Sequence, residues 1–177
     1  MKTLIGVAMM ASVMTNVAWS ESVREPATGA EFAARLSTGS GTLMITGADY
    51  RTALGEKAYA LADYARETTG TALEARNVAD RLDALIEYDG DKGIILKGVY
   101  PKVPARGIRW SWKASFRRVG FDGENRKAFI KLFDAPFKRG QELRFVNSQD
   151  GRLEISLDGR ELADWDDPQF VDAVWKV

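Results

Sequence analysis

Apolar and polar positions alternate near both ends of the chain and switch to helical spacing in its middle, and that switch sets the expected architecture. Phe32, Ala34 and Leu36 alternate with charged or small neighbours. Ser37 to Gly41 reads as a turn, and Leu43 and Ile45 resume the alternation, which predicts a hairpin. Gly47 marks a further turn just ahead of Arg51, and Ala53 to Glu56 breaks the pattern around Gly55. Lys57 to Tyr64 then reads as a strand, with Tyr59, Leu61 and Asp63 on one face and Ala58, Ala60, Ala62 and Tyr64 on the other. A face of small alanines lets another layer approach closely. Helix propensity fits the same run, so the strand rests on the alternation alone.

From Thr71 to Glu87 the spacing is helical: Ala72, Ala75, Val78, Ala79, Leu82, Leu85 and Ile86 recur at steps of three and four. Ile94 to Leu96, bounded by glycines, has the length of a buried strand. Pro104 opens a helix whose Ile108, Trp112, Ser115 and Phe116 share one stripe, with Arg109, Lys113, Arg117 and Arg118 facing elsewhere. Asp122 is the expected cap of the next helix, which carries Phe129, Ile130, Leu132 and Phe133 and stops at Pro136. Glu142 to Val146 and Arg152 to Leu157 alternate about a glycine turn, another hairpin. Asp158-Gly159 turns the chain again, and Asp167-Pro168 starts a last helix bearing Phe170, Val171, Val174 and Trp175. Strands at both ends of a helical middle argue for an α+β fold rather than a parallel sheet with alternating helices.

The first twenty residues stand apart. Lys2, the apolar run Leu4 to Met14, and Ala18 and Ser20 at the small-residue positions lay out a secretory signal, which predicts cleavage before Glu21 and a periplasmic product. The run is shorter than the ~20 apolar residues a membrane span needs. Removing those twenty of 177 residues leaves 157, enough for one domain over 21–177. Lys2 is the only charge lost, so 24 basic residues face 25 acidic ones. That balance gives no footprint of nucleic-acid binding. The basic side of the Pro104 helix reads as a solvated face, with peripheral contact to anionic lipid headgroups as the alternative.

Histidine and cysteine are both absent. Serine–histidine and cysteine–histidine nucleophiles are thereby excluded, as are most zinc, copper and iron sites, and no calcium-loop spacing occurs. No cofactor or metal is expected. What remains for chemistry is Arg, Tyr, Lys, Asp and Glu. Arg51 offers a permanent charge and fixed donors to an anionic or carbonyl oxygen, and a tyrosine can join it there while its ring lines an apolar space. Equally, Arg51 is a surface residue and Tyr59 and Tyr64 are ordinary strand residues.

The run FIKLFDAPFKRGQELRFVNSQDGRLEISLDGRELADWDDPQFVDAVWKV resembles the C-terminal half of chalcone isomerase-like proteins. Upstream, GADYRT is similar to that family's Gly-x-Gly-Val-Arg-Thr segment and KAYALADY to its Lys-Val-Tyr-x-x-Gly-Leu-Tyr strand. The resemblance implies an open-faced, mainly antiparallel sheet packed against a helical layer, with a ligand cleft between them. The family holds plant isomerases that cyclise chalcones and relatives without that activity, some of which bind fatty acids. Arg51 matches the arginine that holds the ligand in the enzymes. Tyr59 stands where their threonine would be, their Tyr–Asn pair has no clear counterpart, and Asp63 replaces a usually apolar residue. The resemblance, taken with the secretory signal, therefore implies an exported, non-enzymatic binder of a small amphipathic ligand such as a fatty acid, with Arg51, Tyr59, Tyr64 and Trp112 as candidate ligand residues. An isomerase-type intramolecular lyase remains the alternative, as does a scaffold whose cleft is filled and whose Arg51 is paired internally.

Overall fold

Strand-forming sequence lies on both sides of a helical stretch, and seven strands drawn from both sides join in one sheet. The computed structural model describes residues 22–53, 55–66 and 78–177. The strands are β1 (Ser22–Arg24), β2 (Glu31–Ala33), β3 (Arg35–Thr38), β4 (Gly41–Ala53), β5 (Glu56–Arg66), β6 (Lys92–Gly98), β7 (Lys102–Val103), β8 (Phe137–Lys138), β9 (Glu142–Asn147), β10 (Leu153–Leu157) and β11 (Arg160–Trp165). The helices are α1 (Val78–Glu87), α2 (Ala105–Arg118), α3 (Glu124–Lys131) and α4 (Pro168–Trp175). Seven strands form a sheet in the order β11-β10-β9-β6-β5-β4-β3. Every pairing in it is antiparallel. The expected α+β architecture is the observed one. The signal segment and the first part of the Thr71–Glu87 helix lie outside the described residues.

The alternation in β5 separates two cores. Ala65, facing the helices, joins a cluster with Phe116, Phe129, Phe145, Leu153, Ile155 and Phe170. Ala60, Ala62 and Tyr64 face the other way and pack with Phe32, Leu36 and Leu43. There the small alanines admit Phe32 of β2, which pairs with β1 as a two-stranded flap over that face. The helix-side core is dominated by aromatic rings: Phe129 meets Phe116 edge-on at 5.5 Å and Phe170 at 5.8 Å. Such edge contacts add about 0.5–1.5 kcal/mol per pair beyond the area buried.

Two expectations need correction. Gly47 is not a turn: β4 runs through it, with a bulge between Ile45 and Gly47. Asp122 does not cap α3, whose N-cap position is Gly123 and carries no side-chain cap; its carboxylate instead meets Arg126 one turn on. The expected turn at Asp158-Gly159 is observed: φ of 51° and 76° is the left-handed pair of a type I′ hairpin, and it returns the chain as β11. Asp167 does cap its helix, accepting from the backbone N–H groups of Gln169 and Phe170 at 3.2 Å.

Candidate functional site

A bulge in β5 sets up the site. Arg51 of β4 pairs with Tyr59, but the next pair is Thr52 with Lys57, so Ala58 is the extra residue. Bulges bend a strand and re-aim its side chains. Here Ala58 and Tyr59, neighbours on an alternating strand, both line one cavity of about 900 Å³ between the sheet and α2. Leu96, Leu143, Leu157 and Leu162 form the sheet side, and Ile108, Trp112 and Phe133 the helix side. That size lies within the ~300–1,000 Å³ of small-molecule sites. The lining is mostly apolar, with a few polar residues, among them Glu56, Arg106, Ser115 and Gln141, and Tyr59 contributes to it as well.

Of the four candidate residues, Tyr59 and Trp112 reach the cavity. Tyr59 is half-buried, and burial pushes its hydroxyl above the ordinary tyrosine range while the Arg51 charge pulls it back. No hydrogen bond to that hydroxyl is present among the described residues. Trp112 forms wall and core at once, stacking on Phe133 at 5.6 Å and standing edge-on to Phe129 at 4.8 Å. Arg51 sits across the strand pair from Tyr59 but outside the lining. Its side chain is 46% exposed, with only a loose 3.9 Å ion contact to Asp49. Tyr64 is not with the others: it is fully buried on the opposite face of the sheet, its hydroxyl donating to the carbonyl of Ala33 at 2.9 Å. It holds the β1–β2 flap. The cleft is open, against the filled-cleft alternative.

Sequence reasoning passed over Arg106, Tyr100 and Trp110, which also line the cavity. The available signal was Trp110, an indole on the polar side of an amphipathic helix. Trp110 is 71% exposed and Tyr100 40%, and no other large apolar side chain among the described residues is as exposed.

Two buried ionic features lie apart from the cavity. Asp63 is fully buried and accepts from Nε of Arg81, itself buried on α1. Burial raises its carboxyl above the usual range against the hydrogen bond and charge of Arg81. Arg81 reaches it by lying over Gly47, where a Cβ would fall inside the guanidinium. Asp63 is thus the sheet's anchor for α1. Lys92 is buried too, which pulls its ammonium down to about 8 with Asp89 and Asp172 opposing. Its Nζ donates to the carbonyls of Leu85, Ile86 and Tyr88 at 2.7–2.8 Å. Those bonds occupy the ammonium and finish the C-terminus of α1, so its work is structural. Among the described residues no group of acidic side chains could hold a metal ion, and no helix is long and apolar enough to cross a membrane.

No family model matches the chain, and neither does any curated protein. A solved structure does. The crystal structure of the Arabidopsis thaliana fatty-acid binding protein AtFAP1 superposes with a TM-score of 0.67 over 87% of this chain and 86% of that one, at 20% sequence identity. The curled antiparallel sheet with helices on one face is therefore the chalcone isomerase-like fold, shared with a protein from which four residues in five differ.

Proposed function

We propose that the protein is an exported, non-enzymatic binder of a fatty acid or a similar amphipathic acid. The tail fills the cavity, and Tyr59 with Arg51 holds the carboxylate. The observation that carries this reading is an open, apolar-lined cavity whose wall includes Tyr59, with no hydrogen bond to its hydroxyl among the described residues and an arginine directly across the strand pair. The 3.9 Å contact of Arg51 with Asp49 is exposed and weak, so a ligand carboxylate competes easily with it. A charge-assisted bond at the edge of an apolar cavity is what an amphipathic acid requires. The fatty-acid binding of the protein with the same fold supports the same ligand class.

Titration of the purified protein with a long-chain fatty acid tests the proposal. Arg51→Ala removes a charge-assisted bond worth roughly 1.5–3 kcal/mol, weakening affinity about ten- to a hundredfold. Tyr59→Phe keeps the ring and costs less. Folding stability stays near wild type in both, because Arg51 makes only an exposed contact. Absence of binding by the wild type refutes the reading. Unchanged binding in Arg51→Ala, together with loss in Arg106→Ala, moves the head group to Arg106 and refutes the Arg51–Tyr59 pair.

A further inference from the structure

Charge is segregated along this chain. Between Lys102 and Arg139 lie eleven basic residues and three acidic ones, although the whole sequence carries 25 of each. This stretch contains α2, which lies over the cavity, and α3 beside it. Two of its acids are already spent: Asp122 meets Arg126, and Glu124 meets Lys127 at 2.8 Å. The third, Asp134, is exposed beyond α3, and Glu56 lies in the cavity lining. Arg106, Lys113, Arg117 and Lys131 carry no acid partner among the described residues. Lys113, Arg117 and Lys131 border a groove of about 480 Å³ between α2 and α3.

The two exposed aromatics fall in the same place. Tyr100 and Trp110 both line the cavity, so they stand at its mouth rather than at random on the surface. On α2, Arg106, Trp110, Lys113 and Arg117 follow one another at three- and four-residue steps and share one outward side, all of them exposed. An amphipathic aromatic flanked by cations is the composition of a surface that rests at the headgroup level of a bilayer.

We infer that this side of α2, with the rim of the groove, docks the cavity mouth onto an anionic lipid bilayer. The occupant is a membrane surface rather than a protein, because the charge complement is broad and one-signed and the apolar contribution is limited to two interfacial aromatics. A fatty acid leaving the headgroup layer then meets the cavity without crossing water. That last step rests on the fatty-acid reading above, whereas the docking does not.

The test is co-sedimentation of the protein, as recovered from its producing cell, with phosphatidylcholine vesicles and with vesicles in which about a third of the lipid is phosphatidylglycerol. Wild type is expected to bind the anionic vesicles only, and added salt should release it. The double variant Lys113→Glu/Arg117→Glu should lose at least about thirtyfold in partitioning, since each cation near such a surface contributes roughly fivefold. Trp110→Ser should weaken binding further at fixed charge. The charge-reversed protein should keep the wild type's circular dichroism and cooperative thermal unfolding, which shows that it is folded. No binding to anionic vesicles, equal binding to both kinds, or unchanged partitioning of the double variant overturns the inference. Fatty-acid titration without vesicles reports separately on the cavity, so either idea can fail alone.

Discussion

Arg81→Met isolates the cost of burying the Asp63 charge. In the wild type, Asp63 Oδ2 accepts from Arg81, while Oδ1 and Arg81 Nη2 have no partner among the described residues. Removing the guanidinium leaves a buried carboxylate without its donor, a change that typically costs about 3–5 kcal/mol. The loss has a ceiling, because the variant can take up a proton instead. Protonating a carboxyl of ordinary pKa ~3.9 at pH 7 costs about 4 kcal/mol, and at pH 5 about 1.5 kcal/mol. The sign follows from linkage: a carboxyl whose folded pKa is raised favours the folded state below its unfolded pKa and loses that contribution as pH climbs through the folded value. Arg81→Met raises that pKa further. Its deficit against wild type should therefore be about 4 kcal/mol near pH 7, or roughly 8–16 °C in Tm, and shrink to less than half of that near pH 5. Asp63→Leu combined with Arg81→Met should recover to within about 1 kcal/mol of wild type, since the intact pair leaves polar atoms unsatisfied. Denaturant unfolding of the variants at both pH values gives the double-mutant cycle. Equal deficits at the two pH values, or single losses that simply add in the double variant, would refute a buried and coupled pair.

Two further outcomes are expected. Asp167→Ala removes the cap that accepts from Gln169 and Phe170 and should cost about 1 kcal/mol, read by thermal unfolding, whereas Asp122→Ala should cost little because Asp122 makes only an exposed pair. Intact-mass measurement of the exported protein should show Glu21 as its first residue; a mass that retains Met1 to Ser20 would remove the basis for a periplasmic location.

The elements with strong period and good punctuation were legible in the sequence: the hairpin about Gly151, the α4 start at Asp167-Pro168 and the two faces of β5. β11 was not, because Arg160 to Trp165 lies at the sheet edge and contributes no fully buried residue, leaving no apolar alternation to read. Gly47 misled for a different reason. Glycine there serves the approach of Arg81, a contact made from about thirty residues away that local punctuation cannot announce. The same long-range pairing accounts for Asp63, which had no sequence rationale. The candidate site was half legible. Alternation already put Tyr59 and Tyr64 on opposite faces, so only one of them can serve a given cavity, and it is Tyr59. Arg106 and Trp110 were hidden because a helix surface rich in cations looks like any solvated face until a cavity opens beside it.

The strand order carries a consequence for how the cavity comes into being. β3 to β6 and β9 to β11 are two runs of sheet whose neighbouring strands are close in sequence, and they meet only where β6 pairs with β9. Closing that seam means looping the whole stretch from Val99 to Gln141, including α2 and α3, and long-range pairing of this kind is the slow part of folding. Tyr59 and Leu96 come from one run, Leu143 and Leu157 from the other, and Trp112 from the loop between. This cavity is incomplete until the seam closes. A ligand that fits the cavity therefore recognises the joined sheet alone and adds its binding energy to the stability of that one pairing.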